Sequence, residues 1–190
     1  MADGKKRCFW CNLKNPVYIK YHDREWGVPN FLESYLYEML LLESFQAGLS
    51  WECVLNKRDA FRTAFDGFDL AAVCSYGEDK LQELLENKAI IRNRLKLRAA
   101  VANSKIFCAI QEEFGSFQNY LLSFTGGKTI YETGKTTNAL SDAISADLQK
   151  RGMKFVGSTI IYSYLQAIGM IYSHDADCFL HKQCADDSFS

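Results

Sequence analysis

The sequence has little proline, no long apolar run and almost no net charge. Two prolines in 190 residues leave helices few interruptions. Apolar and polar residues alternate only weakly, which excludes a mostly β chain. The longest apolar stretches are a few residues, as at Leu40–Leu42, so no segment is long enough to span a bilayer. MADGKKRC opens the chain with no apolar stretch of signal-peptide length behind it, so a cytoplasmic address and a reducing compartment are expected. A net charge of −1 excludes a bulk polycation, and any nucleic-acid site must come from local arrangement. Cysteine is not scarce. Seven of them in a reducing compartment read as thiols, metal ligands or core residues, and an odd count suits a closed disulfide framework poorly. With 48% hydrophobic and 14% aromatic residues the chain can bury a core, which excludes intrinsic disorder.

Apolar residues recur at helical spacing and predict helices over 31–46, 51–65, 78–86, 92–113, 117–124, 138–150 and 159–172. In the long segment, Leu95, Ala99, Ala102, Ile106 and Ile110 form the expected inward stripe, and Gly115 is a natural C-cap. Residues 126–136 (GGKTIYETGKT) read as a loop. No repeat, low-complexity tract or linker divides the chain, so one compact all-α unit over 1–190 is expected.

One carboxylate sits on the wrong face of its helix. With Met39 as origin and about 100° per residue, Leu32 falls at roughly +20°, Leu36 at roughly +60° and Leu42 at roughly −60°. Glu43 lands at about +40°, inside that apolar stripe, while Glu33 and Glu38 fall off its centre. An unpaired carboxylate facing apolar groups costs on the order of several kcal/mol, so it must neutralise, find a partner or line a cavity. A helix frayed before residue 43 would leave Glu43 in water. A pocket carboxylate awaiting a cationic or amino-bearing ligand is the alternative, with Gln46 at about −20° beside it. Trp10, Tyr18, Tyr21, Trp26 and Trp51 all lie in the same N-terminal stretch, and aromatic faces beside a carboxylate suit flat or cationic groups.

Metal-type residues gather near both ends. His22 sits with Cys8 and Cys11, and His174 and His181 sit with Cys178 and Cys184. Cys53, Cys74 and Cys108 fall in helical or apolar contexts and read as core. A structural zinc needs four ligands in a tetrahedron, and two from each group would tie the N-terminal arm to the C-terminal tail. The CxxC of Cys8 and Cys11 with His22 is an alternative site, and spacing does not choose between them.

Residues 88–98 (KAIIRNRLKLR) are basic, after an acidic helix. Two helices joined across a short break would form a helix–hairpin–helix, whose amides and basic side chains grip a DNA phosphate. Lys88, Arg92, Arg94 and Lys96 are the candidates for that contact. No carboxylate occurs from Asn87 to Gln111.

Taken together, RCFW at 7–10, YIKYHDREWGVP at 18–29, LLESFQAGLSW at 41–51, AIIRNRLK at 89–96, KFVGSTIIYSYLQAIGM at 154–170 and the HxxxC of His174 and Cys178 resemble the type I 3-methyladenine DNA glycosylases. The resemblance covers nearly the whole chain. It implies an all-α helix–hairpin–helix glycosylase fold, with a helical core over 30–150, its hairpin near 87–92, and a small zinc-binding subdomain built from 1–29 and 151–190. It implies a structural Zn²⁺ held by Cys8, His22, His174 and Cys178, leaving Cys11, His181 and Cys184 as spectators. Glu43 matches the family's base-recognition glutamate, and Tyr21, Trp51, Trp10 and Tyr18 match residues lining the base pocket. Gly48 and Leu49 are candidates by position for a wedge into the DNA. Ala89 stands where many such hairpins carry glycine; a requirement for φ > 0 there would weaken phosphate gripping.

The implied partners are double-stranded DNA containing alkylated bases and free 3-methyladenine as product, with no membrane and a monomeric enzyme. N3-methylation gives the nucleotide a delocalised positive charge and weakens its glycosidic bond, so the base departs neutral without being protonated. Many relatives with this hairpin place an aspartate on the helix that follows. Its absence here agrees with the type I family, and no lysine is implied as a Schiff-base nucleophile. A zinc-stapled damage binder that releases no base, and a zinc hydrolase with three protein ligands and an open position, are the rival classes.

Overall fold

The computed structural model describes residues 4–182. Ten α-helices and one short parallel ribbon make up the described fold. The helices are α1 (Pro16–Arg24), α2 (Glu33–Gln46), α3 (Trp51–Leu55), α4 (Arg58–Ala64), α5 (Leu70–Cys74), α6 (Glu78–Glu86), α7 (Arg94–Phe114), α8 (Phe117–Thr125), α9 (Ala139–Lys150) and α10 (Ser158–Ala167). The strands are β1 (Ile130–Tyr131) and β2 (Ile171–Tyr172), paired parallel with Ile130 opposite Ile171. No described helix is long and apolar enough to cross a membrane.

Helix α2 is buried from Leu36 to Phe45 apart from Glu38, as expected of a helix packed on all sides, and α3, α7, α8 and α10 surround it. Local signals set the boundaries. Asn15 caps α1 by accepting from Val17 and Tyr18 amides, with Pro16 in the first turn. Asn93 accepts from the Lys96 amide to start α7, which ends at Gly115 in the left-handed conformation. Asn138 and Ser141 form a reciprocal capping box on α9.

Four sequence expectations are corrected. The predicted 51–65 helix is two, α3 and α4, because the chain leaves helical geometry at Lys57 (φ −106°, ψ 3°). The predicted 159–172 helix stops at Ala167. Gly169 turns the chain with φ +78°, and a Cβ there would lie 2.3 Å from the Pro29 nitrogen. The chain beyond it becomes β2, which recruits part of the supposed 126–136 loop as β1. On α7 the inward stripe holds at Ala99 and Ile110, with Ile106 partly buried, but fails at two positions: Leu95 is 70% exposed and Ala102 faces solvent, whereas Leu97, Ala100, Val101, Ser104 and Phe107 are buried.

Candidate active site and metal centre

Helix α2 does not fray: it continues to Gln46 and carries Glu43 inward, 2% exposed. Burial pushes the Glu43 carboxyl well above its ordinary 4.5. The end of α2 is held by Lys96, which donates to the Phe45 carbonyl at 2.7 Å and the Ala47 carbonyl at 2.5 Å. Those acceptors belong to the last turn, where carbonyls have no partner within the helix.

A cavity of about 310 Å³ opens beside Glu43. Its aromatic wall is Trp10, Tyr18, Tyr21, Trp26 and Trp51, with Phe9 at the edge. Tyr21 and Trp51 pack with ring centroids 5.4 Å apart, and Trp10 packs on Tyr18 at 5.3 Å and Trp26 at 4.7 Å. Glu43 Oε2, Gln46 Oε1 and Trp51 Nε1 are buried and have no hydrogen-bond partner among the described residues. All three residues line the cavity. Buried polar atoms are ordinarily paired, so this convergence describes a complementary set for a flat ring that offers both donors and acceptors.

Sequence reasoning missed the opposite wall. Gly134, Lys135 and Thr136, with Ser163 and Gln166 of α10, then Ser173 and Asp175, complete the lining. The β1–β2 pairing holds the stretch after β1 beside the stretch after β2, a non-local contact of two-residue strands that leaves no periodic signal. Lys135 is the cavity's lysine, and its ammonium pairs with Glu132 Oε2 at 2.6 Å.

Behind the aromatic wall, Cys8, His22, His174 and Cys178 are all buried, and their donor atoms lie within 4.8 Å of one another. Cys8 Sγ is 3.4 Å from His174 Nδ1, and Cys178 Sγ is 3.5 Å from both His22 Nε2 and His174 Nδ1. This group could hold a metal ion. His22 Nδ1 bonds Asp23 at 2.8 Å, and Arg7 grips the same carboxylate through two nitrogens, which leaves Nε2 facing the cluster. Backbone amides of Asp175 and Leu180 donate to the two sulfurs. Burial holds His22 below its usual pKa and His174 down to about 4, so both rings are neutral, as ligands must be. Cys11 is buried outside this set, and His181 bonds the His174 carbonyl. Cys184 lies outside the described residues. Cys53, Cys74 and Cys108, expected in the core, are only partly buried.

The connection from α6 to α7 spans 87–93, with Lys88, Arg92 and Arg94 exposed. Lys96 corrects its expected place among them, because its ammonium points inward onto α2. Ala89 does not have positive φ, so the want of glycine there brings no strain. Its amide donates to Asn87 Oδ1 at 3.0 Å, and its carbonyl accepts from Lys57 Nζ at 3.0 Å. Gly48 adopts φ +77° between α2 and α3, next to the 42%-exposed Leu49.

A sequence model of the methyladenine glycosylase family matches residues 10–181. DNA-3-methyladenine glycosylase 1 of Escherichia coli K12 is 40% identical over 180 residues, covering 91% of this chain and 95% of that one. The DNA-3-methyladenine glycosylase of Haemophilus influenzae is 36% identical over 178 residues, covering 90% and 96%. A crystal structure of 3-methyladenine DNA glycosylase I superposes with a TM-score of 0.89 at 40% identity, covering 93% of this chain and 100% of that chain. The Staphylococcus aureus enzyme, solved for its 3-methyladenine recognition, superposes at 0.87 with 31% identity, covering 94% and 99%.

Proposed function

The chain belongs to the methyladenine glycosylase family, and from that premise we propose that it excises 3-methyladenine from alkylated double-stranded DNA by hydrolysing the N-glycosidic bond. The observation that carries this reading is the aromatic cavity with three unpartnered polar atoms, on Glu43, Gln46 and Trp51. A base inside a duplex cannot reach such a cavity, so the damaged nucleotide is flipped out and its base enters between the rings. Burial alone favours the neutral Glu43 acid; a ring carrying positive charge beside it pulls the carboxyl back toward carboxylate. Glu43 thereby selects the cationic, amino-bearing base and acts as a recognition and electrostatic residue. Tyr21, Trp51, Trp10 and Tyr18 supply stacking faces.

Water attacks the anomeric carbon as the base leaves. Since the methylated base departs neutral, no acid need protonate it. Helix α7 offers no carboxylate before Glu112, so the reaction relies on the weakened bond of the substrate. The Lys135 amine is engaged by Glu132, which supports a monofunctional glycosylase without strand cleavage. Borohydride should trap no DNA–protein adduct, and a trapped adduct would contradict this mechanism.

The four-residue Cys/His group fits a structural Zn²⁺. Zn–S of about 2.3 Å and Zn–N of about 2.0–2.1 Å in a tetrahedron place sulfur and nitrogen about 3.5 Å apart, and the separations here are 3.4, 3.5 and 3.5 Å. The ion would supply cross-linking between the two ends of the chain, since four protein ligands leave no position for reactive water. Helix α6, the 87–93 connection and α7 would serve as the helix–hairpin–helix, with Lys88, Arg92 and Arg94 against phosphates. Thiolate ligands suit a reducing cytoplasm. The test is to incubate the protein with methylated duplex DNA and identify released bases by mass spectrometry. Free 3-methyladenine with an uncut strand is expected; tight binding with no released base would overturn the reading.

A further inference from the structure

Phe9 is 90% exposed, the most solvent-facing of the large apolar side chains that are described. It is not carried by a loose segment. The preceding Cys8 is buried in the Cys/His group, and the following Trp10 is packed against Tyr18 and Trp26. The Cys11 amide donates to the Cys8 carbonyl at 3.0 Å and closes the turn. The Phe9 amide itself donates to Asp175 Oδ2 at 2.8 Å, and the Asp175 amide donates back to Cys8 Sγ at 3.3 Å. Phe9 and Asp175 both line the cavity, so a fixed turn holds a bare aromatic ring at the edge of the pocket.

We propose that Phe9 is a DNA-contact residue that stacks on the nucleotide next to the extruded one, on the damaged strand. This rests on the reading that the cavity receives a flipped methyladenine. A base in the cavity remains joined to its sugar, and the sugar–phosphate chain stays outside, so the flanking nucleotide must pass the cavity edge. Flipping also strips that neighbour of one stacking partner. A flat apolar ring supplies a replacement without reading sequence, because every base has a π-face. Trp10 and Phe9 thus divide the work of one turn: the first faces the base inside, the second faces the strand outside.

The test compares the intact protein with Phe9→Ala, Phe9→Leu and Phe9→Tyr, all at an exposed position and checked for melting temperature and metal content. Binding of free 3-methyladenine, followed by tryptophan fluorescence, should stay within about twofold in all of them, since the ring stands at the cavity edge with nine-tenths of its surface turned to solvent. Excision from methylated duplex should fall about tenfold in kcat/KM for Phe9→Ala and Phe9→Leu and recover in Phe9→Tyr, in keeping with loss of one base–aromatic stack. A 2-aminopurine placed beside an abasic analogue should be quenched by the intact protein and less so by the two aliphatic variants. Unchanged excision by Phe9→Ala, or full excision by Phe9→Leu, overturns the stacking role. Weakened binding of free 3-methyladenine would make Phe9 part of the base site and overturn it too. If the intact protein releases no 3-methyladenine, the parent reading fails before any variant is compared, and the proposal falls with it.

Discussion

Glu43 is costly to bury, and the protein retains it where glutamine would fill the same space. Its carboxyl is raised above its ordinary 4.5 by desolvation, and Oε2 has no partner among the described residues. A raised acid imposes no penalty below pH 4.5, where folded and unfolded chains both hold the proton. As pH rises, the unfolded chain releases the proton first, and stability falls until the folded pKa is passed. Glu43→Gln should therefore melt higher than the intact protein at pH 7, by about 2–4 °C for each kcal/mol recovered in a chain of this size. The difference should vanish below pH 4.5. Equal melting temperatures at pH 7 would show that the carboxylate is compensated. Helical periodicity puts Glu43 and Gln46 within the apolar stripe, but whether the helix lasts that far is set by tertiary contacts such as that of Lys96 with the end of α2. Ser163, Ser173 and Lys135 carry no such signal, since small or charged residues beside a pocket look like any surface residues.

Among the elements, α7 and the connection that precedes it separate two kinds of basic residue that look alike in the sequence. Lys96 is buried and satisfies two carbonyls at the end of α2, whereas Lys88, Arg92 and Arg94 face outward. Lys96→Met should cost about 1–3 kcal/mol of folding stability through two buried acceptors left unpaired, with no change in the salt dependence of DNA binding at conditions where the variant is folded. Arg92→Ala or Arg94→Ala should leave melting unchanged and lower the slope of log affinity against log salt by about one each. A reduced slope for Lys96→Met would return that lysine to the phosphate contacts. The partial failure of the stripe on α7 has a physical source as well. Asn103 and Ser104 turn inward to bond the Lys154 backbone and the Tyr37 hydroxyl. An apolar-periodicity reading discounts polar residues, so it finds Ala99 and Ile110 but also takes in the outward-facing Leu95 and Ala102.

Over the whole molecule, the Cys/His group joins residues 166 apart, as between Cys8 and His174. A metal ion bound by the group would close that long loop and add its binding free energy to the folded state. Chelation should lower the melting temperature markedly and shift tryptophan emission, since Trp10 and Trp26 pack on the His22 and His174 rings and also form the cavity wall. Chelation that abolishes base release without altering melting would instead mark a catalytic metal. The helical class was legible from spacing, and the gathering of ligand-type residues at both ends was legible from their positions. Spacing did not choose between Cys8 and Cys11 for that group, because two cysteines three residues apart differ only in which way the turn at Phe9 aims them; the family resemblance alone pointed to Cys8. The most direct measurement of the cavity's role is calorimetric titration of free 3-methyladenine and of adenine into the intact protein and into Glu43→Gln. Saturable binding of 3-methyladenine in preference to adenine, with the preference lost in the variant, is the expected result; equal binding of both bases by both proteins would contradict recognition by Glu43.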